Sequence, residues 1–375
     1  MAPSVSPRRR PDPRRRSLEP GELLGVERVD VDSQSLQISK TVKWIEDADY
    51  EAKIVVAGNH DVSLDSDFYF HHGRMFHNQS PQEPELCLAL LTSSPTITYL
   101  CHDSATIRLK SPDGPHTEFT VFGSPYSPRH GLWAFYYDAP KDPENTERMD
   151  LTALWELIPL ETDIVVTHTP PLKHRDKTLD DQYKGCEALR QALWRVRPKL
   201  AVCGHVHSGR GAERVLWDLE CREKPYLEKA VVEWEDPGKG NNKNSLVDLT
   251  GRKEAKLANN GAHPGRPRSE GDEEDDDDQL VTNTTLNMTA SSDVSPHGHS
   301  GSSVGAQDQS DILGYGIDPE SDGGDLEALL GRMGRKETCI VNAAIMKKNY
   351  PHIGGKEFNK PIVVDVDLPV WEEED

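Results

Sequence analysis

Three short apolar runs along the chain stop abruptly at polar residues of the type that bind metals and substrates. Ile54-Val55-Val56-Ala57 ends in Gly58-Asn59-His60-Asp61, Ile164-Val165-Val166 ends in Thr167-His168-Thr169-Pro170-Pro171, and Leu200-Ala201-Val202-Cys203 ends in Gly204-His205-Val206-His207. Continuous runs rich in β-branched residues suit strands covered on both faces. Gly58 permits the sharp exit that lets Asn59 and His60 project into a cleft. In open α/β sheets such strand ends are where ligands bind.

The segments between these strands carry helical spacing. Ile38, Val42 and Ile45 recur behind the capping candidates Asp32 and Ser33, and Leu189, Leu193 and Val196 form an i, i+4, i+7 stripe that Pro198 ends. Leu154 and Ile158 predict a further helix before the His168 strand, so the C-terminal half reads as strand, helix, strand. Residues 65–95 read as helix with a loop, and 96–100 and 119–122 as strands. Between Gly123 and Tyr137 runs a proline-punctuated aromatic segment that suits either packing or one wall of a cleft.

The pattern fails at two places. Residues 1–31 hold Arg8, Arg9, Arg10, Arg14, Arg15 and Arg16 among prolines, which exclude an amphipathic targeting helix; a disordered basic tail is expected, with a nuclear address as the alternative. Residues 236–335 turn rich in Gly, Asn, Asp and Ser and are expected to be a disordered insertion, after which 336–375 complete the domain begun at 32–235. The formal net charge of -21 draws heavily on the acidic run 270–278, so it describes a solvated segment and disfavours nucleic acid as a partner of the core. Six scattered cysteines without a CxxC pair argue against a disulfide framework and a thiolate zinc site. With no apolar signal region and no run of membrane-spanning length, the expected setting is intracellular and cytoplasmic.

Mn, Fe and Zn accept imidazole nitrogen together with amide or carboxylate oxygen. A single histidine after a strand is ordinarily a structural one, but three strand ends bearing such groups in one sheet point to a metal site. The motifs Gly58-Asn59-His60-Asp61, Thr167-His168-Thr169-Pro170-Pro171 and Gly204-His205-Val206-His207 resemble, in order and spacing, those of the calcineurin-like metallophosphoesterases. Phe122-Gly123-Ser124-Pro125-Tyr126, Gly185-Cys186 and Asn359-Lys360-Pro361-Ile362-Val363-Val364 look most like the small cyclic-nucleotide-type branch.

The resemblance implies an α/β fold, a β-sandwich flanked by helices with its site at strand ends, interrupted here by the insertion. It implies divalent metal ions (Mn, Fe or Zn), with Asn59, His168 and His205 ligating one and His207 another, and His60 beside the scissile phosphate as a charge stabiliser or acid. The implied partner is a phosphoester small molecule or nucleotide, possibly cyclic in form, and not a membrane. Family members also carry an earlier Asp-x-His strand and a Gly-Asp motif that complete the first site and bridge the two ions. This chain has neither, and its early carboxylates at a comparable place are Asp30 and Asp32. Three readings therefore stand: a metal-dependent phosphoesterase, a catalytically impaired scaffold of the same fold, or an active enzyme whose first strand has been replaced through a gene-model error.

Overall fold

The structure is a computed structural model that describes residues 34–112, 114–138, 151–219, 226–252, 256–257, 259, 335–347 and 355–371. The basic tail 1–31, with Asp30, and the acidic run 270–278 lie outside the described residues, as does Asp32.

Helix α1 (Gln34–Glu46) leads into β1 (Lys53–Val56), then α2 (Ser66–Phe76), α3 (Pro84–Thr92), β2 (Ile97–Leu100), β3 (Asp103–Arg108) and β4 (Glu118–Ser124). The aromatic segment holds two short strands, β5 (Ser127–Pro128) and β6 (Tyr136–Tyr137). There follow α4 (Leu151–Glu156), β7 (Ile164–Thr167), α5 (Glu187–Val196), β8 (Leu200–Cys203), β9 (Gly211–Trp217) and β10 (Glu228–Glu233). The chain closes with β11 (Ser245–Asp248), β12 (Glu337–Asn342) and β13 (Ile362–Asp365).

A mixed seven-stranded sheet in the order β10-β9-β12-β8-β7-β4-β3 forms the body. Its centre is parallel: β4 pairs with β7, β7 with β8, and β8 with β12, with Ser124 opposite Thr167 and Cys203 opposite Asn342. That register brings four strand C-termini to one edge. Side chains alternate across the sheet. Val121, Ile164, Val166, Leu200, Val202 and Val341 face one apolar layer, while Phe122, Val165, Ala201 and Ile340 face the opposite one against α4 and α5. The fully apolar strands read from the sequence are thus explained by burial on both faces.

The first face packs on two separate two-stranded parallel ribbons, β1-β2 and β11-β13, whose Val56, Leu100, Val247, Ile362 and Val364 enter the same cluster. Gly123 lies at this junction, and a side chain there would overlap Leu100 and Val56. The outer face of β1-β2 is covered by Ile38, Val42, Ile45, Phe68 and Leu91 of α1, α2 and α3. Burying one such side chain is worth roughly 1.5–3 kcal/mol, which explains how a two-stranded ribbon holds its place.

Helix α5 follows the stripe read from the sequence: Leu189, Leu193 and Val196 are buried. The Cys186 Sγ accepts the Leu189 N–H at its start, and Arg197 closes it in a left-handed conformation (φ 48°) just before Pro198.

One expectation is corrected. Residues 236–252 lie in the segment expected to be disordered, yet β11 pairs with β13, and Val247 and Leu249 are each 2% exposed. The physical reason is Lys360, whose ammonium is gripped by the carbonyls of Gly238, Asn241 and Lys243, while Arg210 bonds to Asp236, 3.0 Å away. A polar composition is here stitched to the body by charge-assisted bonds, while the short apolar run Leu246–Leu249 supplies the core contact. Strands β3, β9 and β10 also lie where no strand was expected. The exposed or half-exposed alternation of β3 and the charged face of β10 give weak apolar signals. Among the described residues no helix is long and apolar enough to cross a membrane.

Candidate metal centre

The site forms where β1, β7 and β8 end. After β1 the chain turns at Gly58-Asn59-His60-Asp61. The Asp61 carboxylate accepts the Gly58 N–H at 2.7 Å, and the Asp61 N–H donates to the Gly58 carbonyl at 3.0 Å. Asp61 is 2% exposed, so it is the buried tie of this turn. Asn59, 6% exposed, points its Oδ1 at His168, 2.9 Å from Nε2.

His168 is held at both ends of its backbone. Its N–H donates to the Ser124 carbonyl at 2.9 Å, and its own carbonyl accepts the Gly204 N–H at 3.2 Å. Its place between β4 and β8 is therefore set by the parallel register. The His168 and His205 rings lie 4.6 Å apart at 64°. His205 has φ 62°, a left-handed conformation that is costly for a residue with a Cβ and that turns its ring back across the sheet edge. His207 opens the short turn His207–Gly209.

Electrostatics agree with this convergence. Burial pushes the His168 imidazole well below its usual range, and the neighbouring rings of His205, His60 and His207 add to the effect. Burial, then His60, His130 and His207, push His205 down to about 4. Both rings are neutral at physiological pH, which is the form that can donate a nitrogen lone pair.

The donors present fit one ion. Two donor atoms sharing a cation at bond lengths of about 2.1 Å lie about 3–3.4 Å apart, and Asn59 Oδ1 and His168 Nε2, hydrogen-bonded at 2.9 Å, stand close to that spacing. With His205 they make two imidazoles and an amide oxygen, a set suited to Mn, Fe or Zn. Among the described residues no three His, Cys, Asp or Glu side chains group as a metal cage.

Sequence comparison bears on the same residues. The sequence model described as "Calcineurin-like phosphoesterase" matches residues 30–209, which contain every strand end of this site. Residues 30–209 are thus similar to the calcineurin-like phosphoesterases. The chain is 32% identical over 184 residues to the human and mouse proteins called metallophosphoesterase domain-containing protein 1, covering 47% of this chain and 50% of theirs. It is also 38% identical over 185 residues to an Emericella nidulans protein named probable rhamnogalacturonate lyase C, covering 49% of this chain and 15% of that one. The chain thus spans half or less of the length of these relatives, and the lyase named in the second title belongs to that protein.

One contributor to the site was missed in the sequence reading, and another was read only as one of two alternatives. Asn342, fully buried at the end of β12, donates from Nδ2 to the Val206 carbonyl at 2.9 Å and to the Arg175 carbonyl at 2.8 Å, fixing the turn between His205 and His207. The signal was present: Cys339-Ile340-Val341-Asn342 is another apolar run ending in Asn. Trp133, in the aromatic segment, sits with its ring 3.9 Å from that of His60. No spacing rule links residues so far apart in sequence.

Proposed function

We propose that this chain hydrolyses phosphoesters or phosphodiesters of small molecules or nucleotides, using one divalent ion held by Asn59, His168 and His205. The observation that carries this reading is the 2.9 Å approach of Asn59 Oδ1 to His168 Nε2, with His205 stacked edge-on beside them, at the C-terminal edge of a parallel sheet. When bound, such an ion supplies Lewis-acid stabilisation of phosphoryl charge and lowers the pKa of a coordinated water. The chain's own residues supply position. Asp61 keeps Asn59 and His60 on the inner side of their turn, and Asn342 keeps the His205–His207 turn rigid. His60 stands beside the ligands without being one. Its Nδ1 is buried, which leaves Nε2 to face a substrate oxygen and to give a proton to the departing group.

The lack of a carboxylate among these donors favours a second reading, a fold that binds the ion and turns over weakly. Cyclic nucleotides are one substrate class to try; nothing in the donor set selects them over other diesters. The test is hydrolysis of bis(p-nitrophenyl) phosphate by the full chain with added Mn. Turnover that disappears in N59A and H205A supports the enzyme. An ion retained with no turnover supports the binding protein, and neither retention nor turnover removes both.

A further inference from the structure

The aromatic segment Pro125–Asp138 is pinned to the site at two points. The Ala134 N–H donates to the Asn59 carbonyl at 3.0 Å, and the Phe135 N–H donates to Asp65 Oδ2 at 2.8 Å. Ser127 and Arg129 close the segment on itself through bonds to the carbonyls of Phe135 and Tyr137. Phe135 has φ 52°, a conformation that a phenylalanine adopts only where its surroundings impose it. The residue just before these anchors is Trp133. Its indole meets the His60 ring at 3.9 Å and 62°, with Phe76 behind it at 5.5 Å. Ala134 and Phe135 are buried, at 0% and 4% exposure, whereas Trp133 is only half-buried. Like Leu132 and Tyr136, Trp133 packs one part of its side chain on the core, and it sets its ring edge-on against His60.

We propose that Trp133 is a positioning residue that fixes the orientation of the His60 ring, so that the segment Pro125–Asp138 is a working wall of the site. An imidazole has few constraints about its outer torsion, and its proton is useful only when the bearing nitrogen points at the leaving oxygen. A flat indole in edge contact removes the alternative ring settings by steric exclusion. This role rests on the phosphoesterase reading for its consequence in catalysis, but not for the geometry.

The test has two arms on the full-length protein. The first is NMR of the metal-free chain with labelled histidine, His60 being assigned by the signal lost in H60Q. W133L should move the His60 ring resonances, because it removes both the contact and the ring current, and W133F should move them less. The second arm measures turnover of methyl aryl phosphates with leaving groups graded from p-nitrophenol to phenol. W133L should lower kcat by about tenfold or more for the most basic leaving group, with little loss for p-nitrophenol, an unchanged KM, and recovery in W133F. His60 resonances unmoved by W133L, or an equal loss for every leaving group, would overturn the proposal. Absence of turnover by the wild-type chain would remove the phosphoesterase reading, and the NMR arm would then decide the position of His60 alone. Should W133L fail to fold, W133F carries the same comparison at smaller amplitude.

Discussion

Two buried histidine sites border the same sheet and behave oppositely. At the metal centre, His168 and His205 are surrounded by other imidazoles, and burial with that company drives both to the neutral form. Behind it, His174 lies between two carboxylates, Nδ1 2.6 Å from Glu213 and Nε2 3.1 Å from Glu228, and Arg190 holds the same Glu228. Burial opposes the charge of His174, but the bonds to Glu213 and Glu228 outweigh it, and its pKa is raised. His174 is 2% exposed and His168 6%. Similar burial thus lowers the pKa of one imidazole and accompanies a raised one in the other, and the difference lies in the partners. The His174 clamp fastens the loop between β7 and α5 to β9 and β10, and the metal centre is left free to bind something.

This contrast can be broken from the clamp side with the largest effect. H174A leaves Glu213, 5% exposed, without its partner, and should cost about 3–5 kcal/mol in urea unfolding. H205A should cost under about 1 kcal/mol, because it relieves crowding among like rings and leaves no charge unpaired. A similar loss in both variants would mean that the two clusters are alike.

From the site side the sharpest separation is between His60 and its neighbours. H60Q should lower kcat by about 10²–10⁴-fold while metal content is kept, whereas N59A should lose the ion itself. Equal metal loss in both would move His60 into the ligand set.

A smaller effect is expected from Asn342, which belongs to neither cluster but steadies the His205–His207 turn. N342A leaves the Val206 and Arg175 carbonyls without their donor, at about 1–3 kcal/mol, and should weaken metal binding by about tenfold. Unchanged affinity in a stable N342A protein would confine Asn342 to folding.

The smallest effect is the pH dependence of the clamp. His174 has a raised folded-state value, so its contribution is complete below the unfolded value of about 6.5 and is lost as pH rises through the folded one. For Glu228 burial acts upward, but the bonds from His174 and Arg190 prevail and hold it at about 2. Its contribution is complete above about pH 4.3 and is lost as pH falls toward that lower value. Thermal stability should therefore peak between about pH 4.5 and 6.5, and H174Q should flatten the alkaline side of the peak. An unaltered profile in H174Q would show that the clamp does not titrate as described.

Much of this was legible in the sequence, for identifiable reasons. Asn59 and His168 follow runs of β-branched residues and His205 follows the apolar run Leu200–Cys203, and strands buried on both faces have a strong, short-range signature. Parallel register then does the rest, since it aligns the strand ends whatever lies between them. His174 gave no such signal: it sits in a loop, and its partners Glu213 and Glu228 are on other strands. Residues 236–252 were misread because composition records apolar content and not the bonds that Lys360 and Arg210 make to them. Trp133 was open to two readings for a related reason: a tertiary contact with His60 leaves no period in the sequence.

Asn59, His168 and His205 are proposed to hold one ion, and every prediction for the site follows from that. The direct measurement is metal analysis of the metal-free full chain after equilibration with Mn or Zn and removal of loosely bound ion, alongside N59A, H168A, H205A and H60Q. About one ion per chain is expected in the wild type and in H60Q, from one set of three protein ligands, and almost none in the other three variants. Two ions per chain in the wild type, or full retention in H205A, would contradict it.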